Sequence, residues 1–144
     1  ARLSPRDYND LLRKLDLRGI TLSRVKFHVT EFSFSGVASY SFKEKVTEKR
    51  LEPDVAEILV EYVIVASSGE SKIFDCEAEF IVHLSSKTGL TREFFSIYNR
   101  HSLPIHTYPF MRELLASLVS RSGLPALTLP LRTQLIGQQP ATEK

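Results

Sequence analysis

Hydrophobic and polar positions change rhythm twice along this chain. Near its start Tyr8, Leu11, Leu12 and Leu15 recur at i, i+3, i+4 and i+7, one face of an α-helix. Ser4 precedes them as an N-cap, because its hydroxyl can accept from free backbone N–H groups, and Pro5 suits the first helical position. The spacing predicts a short amphipathic helix over about 5–17, with Gly19 as its stop. From Ile20 the period falls to two. Val25, Phe27 and Val29 alternate with Arg24, Lys26 and His28, which predicts a half-buried strand. Ile20 and Leu22 sit on the opposite parity, so a bulge is expected near Ser23.

Phe32 and Phe34 lead to a turn at Gly36, after which Ala38, Tyr40 and Phe42 alternate with Ser39, Ser41 and Lys43 in a second strand. The third strand, about 55–66, is apolar on both faces: Ile58, Val60, Tyr62 and Ile64 on one, Leu59, Val63 and Val65 on the other. Such a strand has something over both faces. Ser67-Ser68-Gly69-Glu70 reads as a hairpin turn. In the fourth strand Phe74, Cys76, Ala78, Phe80, Val82 and Leu84 point one way, and Asp75, Glu77, Glu79, Ile81 and His83 the other. Four successive strands with short turns predict an antiparallel meander over 20–84.

Beyond Lys87-Thr88-Gly89 the helical spacing returns. Thr91 can cap a short helix carrying Phe94, Phe95, Ile97 and Tyr98; Leu103-Pro104 reads as a break. The main helix is expected at about 108–122, with Gly123 after its end. Phe74, Cys76, Phe80, Leu114 and Leu118 are the expected sheet–helix core. The apolar run Leu124–Leu131 holds Pro125 and Pro130, which exclude helix and central strand, so it must lie extended over apolar surface or be offered to a partner. The fold class is therefore α+β, one domain over 1–133 with a polar tail over 134–144.

Composition narrows the function by exclusion. A chain of 144 residues, 42% of them hydrophobic, needs no disulfide or metal to hold a core. No apolar run reaches the ~18 residues of a membrane span and no apolar signal core opens the sequence, so a cytoplasmic protein is expected. Residues 1–80 carry 12 basic and 14 acidic side chains, against 7 and 3 in residues 81–144. The densest charge run, Lys43 to Asp54, interleaves carboxylates that would oppose a phosphate field, which speaks against nucleic acid there. Lys87, Arg92, Arg100, Arg112, Arg121 and Arg132 leave nucleic-acid binding by the second half as an alternative.

Catalytic chemistry is missing from the motifs. The six glycines form no phosphate-binding loop, and there is no Gly-x-Ser-x-Gly elbow. His28, His83, His101 and His106 lack metal-ligand spacing. Cys76 sits between Asp75 and Glu77 on an apolar strand face, the wrong setting for a thiolate. No enzyme, metal or cofactor is expected. What stands out is surplus apolar surface: Leu59, Val63, Val65 and Ile81 oppose the Phe74–Phe80 face, and the 124–131 run adds more. Surface of that kind predicts an oligomer interface, a client groove or both.

The stretch from Leu103 to Glu113, LPIHTYPFMRE, then Leu118 to Leu129, LVSRSGLPALTL, resembles the C-terminal half of SecB export chaperones. The upstream hairpin, Val65–Glu70 with Phe74–Glu77, resembles that family too. The resemblance implies a four-stranded antiparallel sheet with helices on one face, assembled as a tetramer, a dimer of dimers. It implies an ATP-independent holdase whose apolar grooves bind unfolded chains. Carried onto this sequence, Ala38, Tyr40 and Phe42 match a client-binding strand. Leu59, Val63, Val65, Leu127 and Leu129 are expected to complete one groove with them. Glu77 matches an acidic position that meets the SecA motor. Export members are acidic and end in an acidic tail, whereas this chain has a net charge of +2 and closes on GQQPATEK. Its helix before the first strand resembles instead the SecB-like chaperones of toxin–antitoxin–chaperone systems. Those bind an aggregation-prone C-terminal segment of the antitoxin. Antitoxin chaperoning is the first expectation, and export with SecA the alternative.

Overall fold

The two strands richest in fully buried side chains occupy the middle of the sheet, and the two amphipathic ones its edges. The computed structural model describes residues 3–32, 38–87 and 89–125. In chain order the elements are α1 (Pro5–Arg13), β1 (Leu15–Val29), β2 (Ser39–Leu51), β3 (Val55–Ser68), β4 (Ser71–Ser86), α2 (Arg92–His101) and α3 (Leu103–Arg121). The sheet runs β1-β4-β3-β2 with every neighbouring pair antiparallel. This corrects the expected meander. β2, β3 and β4 do follow one another, but β1 lies beside β4, a Greek-key order. Between Val29 and Ser39 the chain passes from one edge of the sheet to the other. Short turns alone imply sequential neighbours, but β4 buries Phe74, Cys76, Ala78, Phe80, Val82 and Leu84 and gains a strand on each side.

α1 is shorter than its periodicity suggests. Ser4 caps it as expected, accepting from the Asp7 N–H at 3.1 Å. The helix ends at Arg13, because Leu15 and Leu17 find ladder partners in Ser86 and Leu84 of β4. Gly19 is thus no helix stop; it lies at a register shift within β1. The bulge expected near Ser23 is present, between Leu22 and Arg24. At the β3–β4 hairpin Gly69 takes a φ of +62°, the left-handed conformation that glycine enters without steric cost.

Of the two later helices, α2 begins as expected and α3 does not. Thr91 caps α2, accepting from the Phe94 N–H at 3.1 Å. α3 starts at Leu103 rather than near Tyr108, separated from α2 by Ser102 alone. Pro104 falls in the first turn, where its missing N–H has no intrahelical partner to lose. Pro109 lies inside α3 and deprives the Ile105 carbonyl of a donor. Ile105 and Pro109 both face solvent, so water can take the donor's place.

α2 and α3 cover one face of the sheet. Phe94, Phe95 and Tyr98 of α2 and Leu103, Tyr108, Met111, Leu115 and Val119 of α3 meet the inner faces of β3 and β4. Phe74, Cys76 and Phe80 are buried as expected, but Leu114 and Leu118 are only half-buried. The row Met111, Leu115, Val119 points at the sheet, and Leu114 and Leu118 flank it. A buried Tyr62–Thr107 hydrogen bond, 2.7 Å long, pins α3 to β3. The Thr107 hydroxyl donates to the Leu103 carbonyl, so Tyr62 is the donor. The expected turn at Gly36, the residues Leu127 and Leu129 and the tail 134–144 lie outside the described residues.

Candidate functional site

Strand register decides which apolar residues can share a surface, since successive side chains point to opposite faces. Tyr40 pairs with Ala66 and Phe42 with Ile64, both on the helix-covered face. Val65 pairs with Ser41, Val63 with Lys43 and Leu59 with Thr47, on the bare face. The expected single groove is therefore corrected: Tyr40 and Phe42 cannot line it together with Leu59, Val63 and Val65. The sheet lies between the two sets.

On the helix side, Ala38, Tyr40 and Phe42 form the outer margin of the core, half-buried. Phe42 packs against Tyr62 at 5.6 Å and edge-on against Tyr108 at 5.5 Å. The Tyr40 hydroxyl is buried without a hydrogen-bond partner among the described residues, and burial pushes its pKa upward. Near the same end of the sheet, beyond β1, Phe32 is 61% exposed. An aromatic ring this open contributes nothing to the core and is a functional candidate that strand periodicity passes over.

β1 carries the second apolar surface on this side. Leu17, Leu22 and Val25 point toward the helix side yet stay 43%, 43% and 42% exposed, because α3 packs over β3 and β4 and stops short of the edge. Phe110 and Leu114 lie four apart on the near flank of α3. With Ile20, Leu22 and Phe80 they line a cleft of about 390 Å³, rimmed by Glu113 and Ser117. Sequence reading placed Leu114 in the core and Leu22 in a strand, but periodicity cannot tell how far a helix reaches across a sheet.

The bare face is polar and charge-balanced. Arg24 reaches Glu79 at 3.0 Å and Glu77 at 3.8 Å, and Lys72 pairs with Asp75 at 3.1 Å. His83 lies 3.4 Å from Glu57. Glu77, expected as a contact for a motor protein, is thus part of an acidic stripe already met by cations of its own chain. Leu59, Val65 and Ile81 are half-buried among these charges and Val63 is more exposed.

Burial, and then the Asp75 and Glu77 charges, push the Cys76 thiol up to about 11, so it is no nucleophile near neutral pH. Tyr98 hydrogen-bonds to Nδ1 of His106 at 2.9 Å, and burial lowers the His106 pKa. Among the described residues no three His, Cys, Asp or Glu are placed to hold a metal ion. No described helix is long and apolar enough to cross a membrane.

No protein-family model matches the sequence. Among solved structures, the chain is similar to the Mycobacterium tuberculosis SecB-like chaperone in complex with a ChAD peptide from the HigA1 antitoxin. The TM-score is 0.77 at 18% identity, over 88% of this chain and 96% of that one. The fold is SecB-like. At that identity the likeness speaks for architecture, an α+β protomer with a four-stranded antiparallel sheet and three helices. A weaker likeness, TM-score 0.53 at 11% identity, joins it to a Streptococcus agalactiae protein of unknown function over 81% of this chain and 97% of that one. The SecB-like frame puts β2 and β1 at opposite edges of one sheet, each with its own apolar margin.

Proposed function

We propose that the protein is a cytoplasmic, ATP-independent holdase that binds an aggregation-prone segment of an antitoxin and lets that antitoxin fold. The observation that carries this reading is an apolar margin on the helix side of a SecB-like sheet, the exposed Phe32 near the half-buried Ala38, Tyr40 and Phe42 of β2. An apolar side chain withheld from water contributes roughly 1.5–3 kcal/mol. Several such subsites offset the entropy of holding an extended chain without demanding a sequence. The M. tuberculosis chaperone of the same fold binds an antitoxin peptide, which supports an antitoxin as the client here. The chemistry needs no cofactor or metal and no catalytic group.

Client binding falls to Ala38, Tyr40 and Phe42, joined by Phe32 and by Leu127 and Leu129. β1 and the Phe110–Leu114 flank fall to assembly into a homotetramer, through one sheet edge and the helices. Leu59, Val63 and Val65 are a separate surface on the bare face. Delivery to SecA is the weaker reading, because Arg24 and Lys72 neutralise the stripe that holds Glu77. Nucleic-acid binding is weaker again: Arg92 of the basic half already pairs with Glu48 at 3.7 Å. The test is suppression of aggregation of a chemically denatured client, with and without ATP and across a salt series. Protection independent of both is expected; no protection at equimolar tetramer, or phosphate-like salt dependence, overturns the reading.

A further inference from the structure

Tyr8 is the buried residue of α1, and Leu11 and Leu12 pack partly buried against the same core. Tyr8 stacks on Phe94 of α2 at 5.2 Å and hydrogen-bonds to Ser102 at the α2–α3 junction. Beside that pin the two helices part and leave a cleft of about 630 Å³, within the range of small-ligand sites. Its apolar floor is Leu3, Tyr8 and Ile97. Asn9 and Ser96 supply polar groups along the sides; Ser96 donates to the Glu93 carbonyl, which leaves its oxygen able to accept. Arg100 and His101 close one end and Glu93 lies toward the other. Arg100 donates its Nε–H to the Ser96 carbonyl at 3.1 Å, but neither it nor His101 forms an ion pair among the described residues.

We propose that this cleft receives the free C-terminal end of a client polypeptide, its last apolar side chain on the floor and its carboxylate against Arg100 and His101. The inference rests on the holdase reading and deepens it by naming which part of the client is recognised. Charge and length both fit. From Glu93 to Arg100 the helix rises about 10 Å at 1.5 Å per residue. That is the reach of three extended residues at about 3.3–3.6 Å each. A carboxylate at the cationic end gains charge-assisted hydrogen bonds to a planar guanidinium, the stronger class of such bonds. The peptide N–H groups upstream face the Ser96 hydroxyl and the Asn9 carboxamide. A fatty acid shares the apolar chain and the carboxylate but has no use for those amide partners.

Fluorescence anisotropy with the full chain tests the proposal. The probes are one labelled hexapeptide ending in Leu-Leu, made as the free acid and as the C-terminal amide, with decanoate as competitor. The free acid should bind at least about tenfold more tightly than the amide. The double variant Arg100→Gln/His101→Gln should abolish that preference while still suppressing client aggregation. Equal affinity for acid and amide, no measurable binding of either, or stronger binding of decanoate than of the peptide acid would overturn the proposal. An intact acid-over-amide preference in a protein that fails to suppress aggregation would contradict the holdase reading instead, and leave the cleft assignment standing.

Discussion

β1 and β2 are both edge strands, both amphipathic, and both expose a row of backbone groups that could pair with another chain. They handle that exposure in opposite ways. The helix-facing row of β2 runs Tyr40, Phe42, Glu44, Val46, since Glu44 pairs with Tyr62 of the buried face. A carboxylate pointing inward from an edge strand is a known guard against unplanned pairing. The aromatic part of that row is covered by Tyr108 of α3, and farther along Asn99 of α2 donates to Glu48 at 3.2 Å. The helix-facing row of β1, in contrast, is Leu17, Ile20, Leu22, Val25, Phe27 and Val29, without one charge. It is also left partly uncovered. The difference teaches that α3 packs down on the β2 edge and leaves only its Ala38–Phe42 margin half-open, whereas the whole apolar row of β1 is left partly in water.

The largest effect should come from cutting back the covered edge. Phe42→Ala removes a ring packed on Tyr62 and Tyr108 and should cost about 3 kcal/mol of protomer stability in urea melts. The same truncation at Leu22 on the open edge should cost less than about 1 kcal/mol, because its side chain is already much in water. Equal losses would erase the contrast. Next in size is assembly. Val25→Lys gives β1 the inward charge that Glu44 gives β2 and should weaken self-association by about thirtyfold or more, the weight of one interface hot spot. Light scattering after gel filtration reads it, with the protomer's helix and strand signals unchanged. If Val25→Lys assembles like the parent, β1 is not the assembly edge. The smallest effect should follow from lifting the guard on β2: Glu44→Val should leave protection of clients intact and slowly promote higher oligomers on storage.

Much of this architecture was legible in the sequence. The alternation of Phe74 through Leu84 gives β4 and its buried face, Thr91 and Ser4 act as the caps their positions suggest, and the parity break at Ser23 is a real register shift. Strand order was not legible, because local alternation carries no information on whether β1 lies beside β2 or β4. Leu103-Pro104 hid the true start of α3: read as a break, it is the first turn of the helix, where a proline's missing N–H costs no intrahelical bond. The row of α3 that meets the sheet was misread for a related reason. Leu114, Leu115 and Leu118 look alike to a hydropathy pattern, and only the angle at which the helix crosses the sheet selects Leu115.

The apolar surplus was legible, but its division was not. Tyr40 and Val63 both belong to the apolar positions of paired strands, and the register sends them to opposite sides of the sheet. The open β1 edge was hidden for the same reason that Leu22 looked like an ordinary strand residue: exposure at an edge depends on how far α3 reaches. Glu77 shows the limit on the polar side. Its place in an acidic stripe is plain in the sequence, whereas its neutralisation by Arg24 depends on β1 pairing with β4 rather than with β2.

The central claim, that clients are held on the helix side of the sheet along β2, is tested most directly by site-specific photocrosslinking. Benzoylphenylalanine placed singly at Tyr40 and at Val63 should leave the fold intact, since both sites lie at the margin of packed regions. Each variant is irradiated with a denatured client or the cognate antitoxin segment and the crosslinked product is quantified. Crosslinking from position 40 with little or none from position 63 is the predicted result. Crosslinking from position 63 alone would place the client on the bare face and contradict the account.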